Sequence, residues 1–102
     1  MKDLPELQDA LLDEATVDQL FQDIAGHTQV LEIIPKHQQR GYVEDQSISM
    51  EQARQLLRDR ACRAVQLRYV YDGAQWWDTL MPQPDGTRLI RIRHDFDQPD
   101  TD

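Results

Sequence analysis

Apolar and polar residues follow two periods along this chain. Leu4, Leu7, Leu11 and Leu12 repeat at the spacing of one helical face, which predicts a first helix over Asp3–Ala15. Val17, Leu20, Phe21 and Ile24 repeat in the same way. They predict a second helix that opens on a Thr16/Gln19 capping box and stops at Gly26. Thr28–Ile34 is rich in β-branched residues, ends at Pro35 and reads as a strand. The polar segment that follows reads as a loop, with a short extended piece at Tyr42–Val43. Ser49 and Gln52 form a capping box for a third helix lined by Ala53, Leu56 and Leu57, ending near Arg60–Arg63.

From residue 64 the period becomes two. Three strands are expected, Ala64–Tyr71, Ala74–Met81 and Thr87–His94. Asp72-Gly73 suits a two-residue type I′ loop, which pairs Tyr71 with Ala74, Tyr69 with Trp76, Arg68 with Trp77 and Val65 with Leu80. Pro84-Asp85-Gly86 suits a three-residue loop with a glycine bulge, which pairs Met81 with Leu89, Asp78 with Ile92 and Trp77 with Arg93. One face then collects Val65, Leu67, Tyr69, Tyr71, Trp76, Leu80, Ile90 and Ile92 as a core, with Asp78 and His94 as misfits. The other face collects Arg68, Trp77, Leu89, Arg91 and Arg93. The adjacent tryptophans face opposite ways, Trp76 inward and Trp77 between Arg68 and Arg93.

The fold expected is a single two-layer α+β domain over residues 1–94, in the order α-α-β-α-β-β-β. It is a three-stranded antiparallel meander extended by Thr28–Ile34 as a fourth strand, with the helices on one face. A right-handed crossover through the third helix would lay that fourth strand parallel to a meander strand. Residues 95–102, DFDQPDTD, are expected to be a disordered acidic tail.

Composition narrows the class. The 102 residues allow one domain, and at 39% hydrophobic its core is thin. No apolar run approaches the ~18 residues of a membrane helix. The acidic N-terminus has the wrong sign for a leader, and one cysteine, Cys62, fits a reducing compartment, so a cytoplasmic location is expected. The net charge of −8 is uneven: residues 1–26 carry seven acids against one Lys, residues 95–102 four acids and no base, and the centre is mildly basic. That balance opposes approach to nucleic acid, despite the basic loop cluster of Lys36, His37 and Arg40.

Catalytic motifs are absent. His27, His37 and His94 lack metal-ligand spacing, and no phosphate loop or nucleophile elbow occurs, so no metal or cofactor is expected. Arg60 and Arg63 flank Cys62 and would lower its thiol pKa unless it is a buried filler. The reading is therefore a non-enzymatic interaction protein, an adaptor, assembly factor or regulator that docks on a larger protein. Arg68, Trp77, Arg91 and Arg93 are the partner-binding candidates, since Trp and Arg dominate interface hot spots. The alternatives are an anion- or single-strand-binding module on the same residues, and a small oligomeric enzyme using Asp78 and His94.

Overall fold

Chain order and pairing come from a computed structural model, which describes residues 7–36 and 47–94. The elements are β1 (Leu7–Leu12), α1 (Glu14–His27), β2 (Gln29–Lys36), α2 (Met50–Arg58), β3 (Ala64–Tyr71), β4 (Ala74–Gln83) and β5 (Gly86–His94). Every strand joins one antiparallel sheet in the order β1-β5-β4-β3-β2, so this is an α+β domain with five strands rather than three or four. The tail 95–102, Tyr42–Val43, His37 and Arg40 lie outside the described residues.

The expected first helix is a strand. LQDALL follows the helical spacing at Leu7, Leu11 and Leu12 and has no clean alternation, yet its partner decides: β1 pairs along β5 from Leu7↔Ile92 to Leu12↔Thr87. The helix begins later because Asp13 caps it, its carboxylate accepting from the Thr16 amide at 2.8 Å. Thr16 therefore lies inside α1 and forms no capping box. Gly26 does not stop α1, which runs to His27. Thr28 ends it, donating its amide at 3.2 Å and its hydroxyl at 2.7 Å to the Ile24 carbonyl. The Ser49/Gln52 capping box of α2 is present in full, both bonds at 3.0 Å.

β2 pairs antiparallel with β3, not parallel with a meander strand. The chain leaves β2 at Lys36 and re-enters the sheet opposite it at Ala64. β2 and β3 are thus antiparallel neighbours joined at the same end of the sheet, so the handedness rule for parallel crossovers has nothing to act on.

Both helices cover one face. Val17, Phe21 and Ile24 of α1 and Ala53 and Leu57 of α2 bury against Ile33, Val65, Leu67, Tyr69, Trp76, Leu80 and Leu89. Arg54 ties the helices together, donating to Glu14 Oε1 and Asp18 Oδ1, each at 2.5 Å. Arg58 reaches the same Asp18 oxygen at 3.2 Å. The opposite sheet face carries no helix among the described residues.

Candidate functional site

The β3–β4 hairpin has the expected register throughout, Tyr71↔Ala74 to Val65↔Leu80. Asp72 (φ 54) and Gly73 (φ 79) both hold the positive φ that a type I′ turn requires. The β4–β5 hairpin does not follow expectation. It is tighter by one residue: Gln83 pairs with Gly86 across Pro84-Asp85, and Leu80 faces Leu89, Asp78 faces Arg91 and Trp77 faces Ile92. A slip of one residue sends every β5 side chain to the other face. Thr87, Leu89 and Arg91 turn inward, while Arg88, Ile90 and Ile92 turn to the helix-free face.

The four candidates therefore do not converge. Arg68 and Trp77 lie together on the helix-free face, with the Arg68 guanidinium carbon 4.0 Å from the Trp77 ring centroid. Arg91 is 4% exposed and belongs to the core. Arg93 lies on the helix side of the sheet, 5.9 Å over the ring of Trp76.

Around Trp77 the helix-free face is ordered by its own polar groups. Arg68 donates through Nε to Gln66 Oε1 at 2.8 Å and through Nη1 to Glu32 Oε1 at 3.1 Å. Gln66 donates to Thr79 Oγ1 at 3.1 Å, and the Trp77 indole donates to Gln75 Oε1 at 2.8 Å. His94 stacks on Trp77 with centroids 4.2 Å apart. Towards β1 the face turns apolar. Ile90 is half-buried, Ile92 is 42% exposed and Leu11 51% exposed. At that margin Arg88 grips Asp9 with two bonds, at 3.0 and 2.6 Å. Gln66, Glu32, Ile90, Ile92 and Leu11 were not candidates from sequence. The Pro84-Asp85 turn, taken as two residues, is the signal that would have exposed the two isoleucines.

On the other face Asp78 is fully buried, and its misfit resolves. Arg91 donates through Nε to Oδ1 at 2.9 Å and through Nη2 to Oδ2 at 2.8 Å, and the Tyr69 hydroxyl donates to Oδ1 at 3.0 Å. Burial pushes the Asp78 carboxyl above its ordinary value, while the bonds and charge of Arg91 and the Tyr69 hydroxyl pull the other way. Burial also works against the charge on Arg91, but Asp78 outweighs it and holds the guanidinium above its ordinary value. Burial, then the Asp78 charge, keeps Tyr69 protonated far above the usual tyrosine range. The fork-to-fork geometry is that of an ion pair. Asp78 and His94, paired in the enzyme alternative, lie on opposite faces of the sheet.

Cys62 is half-buried, and burial pushes its thiol up rather than down, against activation by the neighbouring arginines. Among the described residues no cluster of three metal-ligating side chains occurs, and no helix is long and apolar enough to cross a membrane. Comparison with protein-family models, with curated proteins and with solved structures finds no match for this chain.

Proposed function

We propose that this chain is a non-enzymatic interaction module that docks on a larger protein through the helix-free face of its sheet. The observation that carries the reading is the Trp77 site. A half-buried indole is held in place by Arg68 at 4.0 Å and His94 at 4.2 Å, beside an open apolar strip containing Ile92. A pre-ordered aromatic anchor with adjoining aliphatic surface is what a protein hot spot needs, because binding then immobilises little that is still free. With Arg91 in the core and Arg93 on the helix side, the surface is apolar and charge-balanced rather than cationic. That favours a protein partner over the anion- or single-strand-binding alternative, which relied on all four residues.

Affinity capture from the native host tests this with a matched pair of variants. Trp77→Ala and Ile92→Asp should each abolish retention of a stoichiometric protein partner while leaving the circular dichroism unchanged. Arg93→Glu, on the other face, should leave retention intact. Undiminished capture by folded Trp77→Ala would refute the reading.

A further inference from the structure

We propose that β1 pairs with β1 of a second copy of this chain, antiparallel about a two-fold axis at Ala10, to make one ten-stranded sheet.

The two edges of the sheet are unlike. β2 is blunted in several ways. A bulge interrupts it between Val30 and Glu32, Pro35 offers no N–H, and Lys36 ends it. Its outer side is also covered: the Ile33 amide donates to Ser47 Oγ at 3.0 Å, and the Ile48 amide donates to the Ile33 carbonyl at 2.9 Å. β1 has no Pro, no bulge and no Lys, and among the described residues no group hydrogen-bonds its outer side. A row of unpaired backbone groups is a template for another strand.

This asymmetry selects the occupant. With β2 bulged and covered at Ile33, β1 is the one open edge among the described residues. Two copies can then join only β1 to β1, and that contact is isologous and closes at two instead of growing a filament. The axis stands perpendicular to the sheet, so paired residues must come from the same face. Pairing Asp9 with its own copy would set like charges opposite each other. Pairing Ala10 with Ala10 sets Asp9 opposite Leu11 of the second copy, with Asp9 already balanced by Arg88. It also covers Leu11, the most exposed large apolar residue described. The proposal rests on the sheet edge; it shares Leu11 with the margin of the helix-free face but neither Trp77 nor Ile92, so dimerisation and docking are read by different variants.

Sedimentation velocity on the full chain, from micromolar to millimolar, tests the assembly. A dimer is expected, strengthened by added salt because each copy carries −8. Leu11→Lys should shift it to monomer with unchanged circular dichroism. Register is tested by oxidation in a Cys62→Ser background. Antiparallel partners at the axis have Cα atoms about 4.5–5.5 Å apart, within disulfide reach. Ala10→Cys should therefore cross-link to a dimer many-fold faster than Leu31→Cys on the opposite edge. A monomer at every concentration overturns the proposal. So does a dimer in which Ala10→Cys cross-links no faster than Leu31→Cys.

Discussion

Removing Arg91 tests whether the core is held by a matched charge pair. In Arg91→Met, Asp78 keeps only the Tyr69 hydroxyl at 3.0 Å and loses the two guanidinium bonds at 2.9 and 2.8 Å. Both residues are buried, so the abandoned carboxylate finds no water. Breaking such a pair costs about 3–5 kcal/mol, a large part of the 5–15 kcal/mol typical of a domain. Asp78 has one escape, which is to take up a proton. With Arg91 gone, burial, the largest influence on the Asp78 carboxyl, raises its pKa against only the Tyr69 hydroxyl bond. A carboxyl raised in the folded state above its unfolded value contributes stability that is complete below the unfolded value. That contribution is lost as pH rises through the folded one. The Arg91→Met deficit should therefore shrink towards acid and grow towards neutrality.

Asp78→Asn leaves Arg91 buried instead, and a guanidinium cannot give up its proton, so that deficit should stay flat with pH. The triple variant Asp78→Leu, Arg91→Met, Tyr69→Phe removes every member of the cluster. It should return to within about 1 kcal/mol of the original or exceed it, as buried pairs replaced by apolar groups commonly do. Urea unfolding at several pH values measures all three by linear extrapolation. A single-variant cost below about 1 kcal/mol at neutral pH would refute the argument, since a surface pair behaves that way. A pH-independent Arg91→Met deficit would refute the protonation step.

Two further outcomes follow from local geometry. Gly86 begins β5 at φ +151, and a Cβ built there would meet the Leu12 carbonyl oxygen at 2.7 Å. Gly86→Ala should cost about 1–3 kcal/mol in urea unfolding and raise amide exchange along β1 first; a change within about 0.5 kcal/mol would show that β1 does not need this approach. The hydrogen bond from Arg54 holds Asp18 below the usual carboxylate pKa, so its contribution is present above the unfolded value of about 3.9 and is lost as pH falls through the lowered folded value. Stability measured from pH 5 downwards should fall less steeply in Asp18→Asn than in the original chain, and identical slopes would remove Asp18 from the account.

What could be read in the sequence was whatever a few neighbouring residues decide. Asp72-Gly73 closes its hairpin because both residues take positive φ, and that choice fixed the register of β3 on β4 and with it the opposite faces of Trp76 and Trp77. The α2 cap needs only Ser49 and Gln52. β1 could not be read in this way, because the leucine spacing of LQDALL favours a helix, and the deciding partner β5 lies some eighty residues away. The direction of β2 was equally hidden. An intervening helix can carry a chain across a sheet or bring it back to the same end, and only the return at Lys36↔Ala64 distinguishes them.

The register of β4 on β5 carries the larger lesson. An arginine turned into a core alone is an unpaired charge, and unpaired buried charges are expensive. Asp78 changes that balance. An aspartate at a core-facing strand position is itself such a charge, and the two penalties offset each other when one residue lies across from the other. Tightening the second turn to Pro84-Asp85 places Arg91 directly opposite Asp78, which is itself diagonal to Tyr69 on β3, turning two costs into one satisfied cluster. The same slip moves Ile90 and Ile92 out beside Trp77. The buried ion pair and the apolar strip beside Trp77 are thus two results of one register. When Arg91 and Leu89 take the core side, Ile90 and Ile92 become surface.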